Sequence, residues 1–408
     1  MFLAAAFARS LESHVLNVSQ SRRALSAFLL FGMLTSTLGA FLPAWGYHLD
    51  SNFITVGNYF LVLNAGLLIA IRASFAFLPR IGIGRLMVSG STLASAAFGL
   101  LALEPNPVAI FRGLGLFLLG FSAGLLHAAL FHAISPLFNH DRAATTTLAG
   151  SLYGLGCFLT AILVAGTYYV YSVTWILILF AAIPALFAVV LARGHFPREV
   201  ALPQVPLRHV LDDFKNPGAV LFALILFFQF GNEWSIAGWL PLFLIRRLGI
   251  SPEASVFMLA FYWGALLVGR VAAKAMLKSV PHGKLLMGSI VLALLGCVIL
   301  TNTTDAFSAS TGILFIGCGF ASIYPLVVEK IGHRFTYYHP GLYNGIFSFA
   351  VTGGLLAPAL LGYLAQWWGV GMILIVPMLG TFMVFLLVLM IMLEAKLNGD
   401  RAVREAKA

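Results

Sequence analysis

From residue 24 onward, apolar runs of some twenty residues alternate with short polar stretches. A hydrocarbon core of roughly 30 Å is crossed by about 20 apolar residues in a helix, whereas barrel strands of about ten residues alternate apolar with polar. The pattern therefore predicts helices, at 24–46, 53–78, 85–103, 107–135, 144–168, 172–193, 218–245, 253–277, 284–303, 309–329, 342–366 and 370–393, numbered spans 1 to 12 in chain order. The expected fold class is an all-α membrane protein with twelve transmembrane helices.

The longest internal polar stretch, RGHFPREVALPQVPLRHVLDDFKNPG at 193–218, divides the spans six and six. The expected organisation is a six-helix lobe at 1–193, a cytoplasmic linker at 194–217, a second six-helix lobe at 218–394 and a cytoplasmic tail at 395–408. The two halves repeat at a spacing near 197. LTSTLGAFLP (34–43) lies over NEWSIAGWLP (232–241), Arg72 over Arg270, and LFLLGFSAGLLHA (116–128) over ILFIGCGFASIYP (313–325). Parallel six-helix repeats make two pseudo-symmetric bundles, the architecture of transporters that rock two halves about a central site. Glycines support it: Gly120 and Gly124 form a GxxxG, Gly150, Gly154 and Gly156 stripe span 5, and Gly345, Gly353 and Gly354 stripe span 11. Small residues at such spacings let helices approach closely in lipid.

Composition agrees, with 61% of the chain hydrophobic and 9% charged. The net charge of +10 raises the question of a nucleic-acid partner, and topology answers it. An even number of spans puts both termini on one side; with that side cytoplasmic, the internal segments hold nineteen Lys and Arg residues and the external loops hold Arg246 and Arg247 alone. This is the positive-inside bias, and it predicts a multi-pass cell-membrane protein with both termini cytoplasmic and no nucleic-acid partner. The apolar patch Met1 to Ala8 is too short for a signal core and has no basic residue before it, so no cleavage is expected. Cys157, Cys297 and Cys318 all fall inside spans, which predicts packing residues rather than disulfides or a metal framework. No phosphate-binding loop, zinc-spaced cluster or nucleophile elbow is present, so no cofactor, metal or enzymatic activity is expected.

Three stretches carry a resemblance. RIGIGR (80–85) is similar to the signature loop of the major facilitator superfamily, although Leu78 and Pro79 stand where its aspartate belongs. GRVAAKAMLKSVPHGK (269–284) resembles the counterpart loop of the second half, and FGNEWSIAGWL (230–240) with GFASIYPLVVEKIG (319–332) resembles the fucose permease group of sugar/proton symporters. The resemblance implies a secondary transporter working by alternating access on a small polar solute, a sugar, with proton-coupled import. Two departures matter. Carboxylates expected in spans 1 and 4 are replaced by Thr35, Ser36 and Thr37 and by His127 and His132, and GSLYGLGCFLTA (150–161) lacks the Gly-Pro pair of antiporters. The first disputes the usual coupling acids; the second argues against efflux.

Within the membrane, an acid at a helix centre costs about 2.5–3.5 kcal/mol and so faces a cavity or a partner. Glu233 is the deepest acid, and Gln229, Asn232, Glu233 and Ile236 share one face by their i, i+3, i+4, i+7 spacing. Amides and an acid suit a polyol, each of whose hydroxyls must be paired on burial. The expected substrate-binding set is Gln229, Asn232, Glu233, His127, Tyr324, Trp239, Asn344 and Thr35, with Glu233 and His127 as proton-coupling groups. His127 and Tyr324 coincide in the repeat, Trp239 offers a stacking surface, and Thr35 mirrors Glu233. Each has a plainer reading as an interhelix brace. Arg270, Glu329 and Arg72 are expected gate residues near the inner ends of spans 8, 10 and 2, with an Arg270–Glu329 ion pair. Arg112, near an end of span 4, is placed to reach the surface or attract an anion. The expected partners are a sugar, the lipid bilayer and a proton, with the protein a monomer. Efflux, organic-anion transport and a non-transporting membrane sensor are the alternatives.

Overall fold

The computed structural model describes residues 23–49, 52–103, 109–194, 196, 216–334 and 340–405. Among them, twelve helical segments are long and apolar enough to cross a membrane: Arg23–Phe41, Phe53–Ile81, Ile83–Ala102, Ile110–Ile134, Thr147–Thr167, Val173–Ala192, Pro217–Leu248, Pro252–Met276, His282–Thr301, Ala306–Gly332, Phe349–Trp368 and Met372–Glu394. These are spans 1 to 12, at the positions the apolar pattern predicts. Span 1 stops earlier than expected because Pro43 and Gly46 turn the chain, Gly46 at φ 80° with its N–H on the Pro43 carbonyl at 3.0 Å. Between spans 4 and 5 the polar stretch ends lipid burial without ending the helix, which runs over Ala109–Thr167.

The signature-like loop has a local explanation. Span 2 ends with Arg80 in its last turn, and Gly82 reverses the chain into span 3 with φ 80°, a value that glycine adopts without the Cβ penalty.

The described residues fall into two compact units, one built on Met1–Leu49, Asn58–Leu202 and Pro252–Ala260, the other on Asp50–Gly57, Pro203–Ser251 and Phe261–Ala408. The start of span 2 falls in the second unit and the start of span 8 in the first. In the second unit, the start of span 2 is held by the Phe53 N–H donating to Gln366 Oε1 at 2.9 Å.

Inside each unit the repeat reappears as packing. A Cβ on Gly156 of span 5 would overlap the Leu29 carbonyl of span 1, and one on Gly353 of span 11 would overlap the Phe227 carbonyl of span 7. Gly120 of span 4 lies against the Leu63 carbonyl of span 2, as Gly317 of span 10 lies against Tyr262 of span 8. Backbone-to-backbone approach of this kind replaces hydrophobic driving force in lipid, where tails are as apolar as side chains. Cys157 and Cys297 are buried and all three cysteines are free thiols.

Candidate functional site

Span 7 carries the main candidates, and its ends show why it is one long helix. Asn216 caps the start by accepting the Gly218 N–H at 2.9 Å, Pro217 occupies the first turn, and Gly249 closes the other end at φ 65°. Between these stops the helix buries Gln229, Asn232 and Glu233 together.

Gln229 and Glu233 are four residues apart, one above the other, and are 0% and 6% exposed. The Arg270 guanidinium of span 8 acts electrostatically on the Glu233 carboxylate, with the Gln229 amide beside it. The Gln229 amide is the hydrogen-bonding neighbour of the Glu233 carboxyl, and it meets no further partner among the described residues. An amide and an acid buried side by side keep hydrogen-bonding capacity that a ligand hydroxyl can use.

Asn232 departs from the expected shared face. At 100° per residue it points well away from Glu233, and there Nδ2 donates to Thr381 Oγ1 of span 12 at 3.2 Å while Oδ1 occupies the space left by Gly380. Its amide is committed to holding spans 7 and 12 together, not to a substrate hydroxyl. Trp239 departs as well. Its ring is 0% exposed, packs edge-on to Phe53 at 6.2 Å, and its Nε1–H donates to the Pro358 carbonyl at 2.9 Å, leaving no open face for a sugar to stack on. Tyr324 sits against the Phe230 ring at 5.3 Å and is half-buried.

In the first unit the corresponding ground is aromatic. Phe31 of span 1 lies between His127 of span 4 at 5.3 Å and Tyr153 of span 5 at 5.4 Å. Thr35, one turn on, places Oγ1 at 3.2 Å from the Tyr153 hydroxyl and near the carbonyls of Phe31 and Gly32 at 3.2 and 3.1 Å. His127 also meets Phe131 at 4.8 Å. Thr35 and His127 are therefore brought to one cluster, joined by Phe31 and Tyr153. The i−4 spacing of Phe31 from Thr35 is the sequence signal that would have found the former.

Of the expected gate residues, Arg270 acts electrostatically on Glu233, Glu329 takes His282 Nε2 at 2.8 Å, and Arg72 is exposed. Asn344 lies outside the residues whose side chains are described. No group of three or more metal-ligating side chains occurs among the described residues.

Comparison with known proteins gives this arrangement a context. The chain is 28% identical to a putative glucose/galactose transporter of Helicobacter pylori over 153 residues, 36% of each chain, so the match spans about a third of that relative. It is 33% identical to a D-galactonate transporter of Escherichia coli over 148 residues, 33% of this chain and 34% of the relative. Among solved structures, the nucleoside transporter NupG superposes with a TM-score of 0.68 at 16% identity, covering 92% of this chain and 99% of the other. The Escherichia coli fucose:proton symporter FucP superposes with a TM-score of 0.61 at 14% identity, covering 91% and 98%. At these identities the structures speak to the fold. Residues 24–354, reaching from span 1 into span 11, match the Major Facilitator Superfamily, and the chain belongs to that family, whose members are membrane transporters and not enzymes.

Proposed function

We propose that this transporter imports a sugar by alternating access, driven by a proton gradient, with Glu233 as the coupling acid and Gln229 as a hydroxyl ligand. The observation that carries the reading is the Glu233–Gln229 pair: a buried carboxyl under the influence of Arg270, with the buried Gln229 amide as its hydrogen-bonding neighbour. A carboxyl that exchanges a proton changes its attraction for Arg270, and a sugar hydroxyl satisfies the amide, so proton and substrate act on neighbouring atoms. His127, Thr35 and Tyr153 supply the polar part of the first unit, and Tyr324 that of the second. The glucose/galactose relative and the fucose:proton symporter fold support a sugar and a proton. The positive-inside bias supports a cell-membrane protein with both termini and the linker at 194–217 in the cytoplasm.

The test is counterflow of glucose and galactose in proteoliposomes, with and without a pH gradient, on wild type and Glu233→Gln. Gradient-driven accumulation by wild type and its loss in the variant are expected; accumulation unchanged in the variant overturns the coupling role. A second reading, transport of a sugar acid, is favoured by the match to a D-galactonate transporter, and the same assay with labelled galactonate separates the two.

A further inference from the structure

Arg112 is absent from the mechanism just proposed, yet the first unit builds a setting for it. After span 1 the chain turns at Gly46, whose φ of 80° and the Tyr47 N–H bond to the Leu42 carbonyl at 3.2 Å bring Trp45 and Tyr47 to the same place. Both are half-buried. The Arg112 guanidinium lies 4.7 Å from the centre of the Trp45 ring and 5.4 Å from that of Tyr47. Its Nη1 donates to the Tyr47 hydroxyl at 2.6 Å, and that hydroxyl passes its own proton to the Tyr59 oxygen at 2.9 Å.

Proton bookkeeping decides what is left. Guanidinium is donor-only, so the Tyr47 oxygen must accept, and its proton is used on Tyr59. Tyr59, whose oxygen Arg112 also reaches with a hydrogen bond, is thus left with an O–H to give, and Arg112 with the N–H groups not used on the two tyrosines. All the partners are neutral, and no ion pair to Arg112 occurs among the described residues. The charge is also placed against the helix dipole, in the first turn of the helix that starts at Ala109, where a cation is disfavoured and an anion welcome. Aromatic faces hold a guanidinium without neutralising it, and its fork matches the two oxygens of an oxyanion.

We propose that Arg112, Tyr59, Tyr47 and Trp45 form an oxyanion subsite at this end of the first unit, taking a carboxylate such as that of a sugar acid or the phosphate of a lipid headgroup. It is independent of the role given to Glu233.

The experiment measures binding to the full chain in neutral detergent. D-galactonate and D-galactose are titrated by calorimetry, and retention of added phosphatidylglycerol against phosphatidylcholine is read by native mass spectrometry. Wild type, Arg112→Gln and Arg112→Lys are compared, with Trp45→Phe as a variant that keeps the charge and the fold. Arg112→Gln is expected to lose anion binding about tenfold or more, or 1.4 kcal/mol, with Arg112→Lys between it and wild type. Raised salt should weaken the wild-type interaction, because added anions compete for the guanidinium. An Arg112-dependent response to galactonate identifies a solute subsite, and one confined to phosphatidylglycerol identifies a lipid subsite. Wild type that binds neither anion, or an Arg112→Gln protein that binds both as wild type does, overturns the proposal. Galactose uptake by Glu233→Gln reads on the coupling role alone.

Discussion

Thr35 and Glu233 occupy the same place in the repeat, yet the two units treat it differently. Thr35 is satisfied where it stands, by carbonyls of its own helix and the Tyr153 hydroxyl. Glu233 sits in the field of the Arg270 cation with the Gln229 amide beside it. The helices and glycine contacts repeat; the polar chemistry does not. Packing can be duplicated because small residues and carbonyls suffice for it, whereas a buried acid is costly and one copy is enough to couple a proton.

The sharpest way to break this comparison is to exchange acid for neutral group. Glu233→Gln should lower gradient-driven uptake at least about tenfold, roughly 1.4 kcal/mol in the rate-limiting step, while Thr35→Val stays within about twofold. Equal losses from both in proteoliposome uptake would mean that the units share the work. The packing side should behave in the opposite way, with the two units alike. Gly156→Leu and Gly353→Leu each force a side chain into a carbonyl, and each should cost about 1–3 kcal/mol or more of stability, seen as matched falls in the melting temperature in detergent. A loss in one unit alone would show that the repeat is not energetic.

Within span 7 the comparison narrows to two amides. Asn232→Ala removes a bond to Thr381 and should destabilise by about 1 kcal/mol with substrate affinity kept. Gln229→Leu removes the amide beside the Glu233 carboxyl and should change stability by no more than about 1 kcal/mol, with affinity reduced severalfold. Thermal melts and counterflow competition, read together, distinguish brace from ligand.

The smallest effect belongs to Asp305, outside the spans, where bonds from Ser308 backbone and hydroxyl and from the Phe307 N–H hold its carboxyl below the usual aspartate range. Its contribution is present in full above about pH 4 and is lost as pH falls through the lowered folded-state value. Asp305→Ala should therefore lower the melting temperature slightly at neutral pH and converge with wild type in acid.

The sequence made most of the fold legible because lipid leaves few options: an apolar run of some twenty residues must be a helix, and the ends fall within a few residues of the structure. Glu233, Gln229 and Arg270 were each visible as polar groups in apolar runs. Their relation was not, since the influence of Arg270 on Glu233 crosses spans whose rotation no spacing rule gives. Asn232 was misplaced on the acid's face because a four-residue window treats a whole helical stripe as one surface. Trp239 suits sugar stacking by residue type alone; its burial against Phe53 and Pro358 depends on neighbours far along the chain. The Tyr47–Tyr59–Arg112 chain was illegible for the same reason, its members being set by a turn at Gly46 rather than by period.

The glycine seams have a mechanical consequence. Where Gly156 meets the Leu29 carbonyl and Gly353 meets that of Phe227, no side chain lies between the helices to absorb displacement. Each seam is a rigid weld rather than a cushion, so movement started by a ligand at one helix is delivered undiminished to its neighbour.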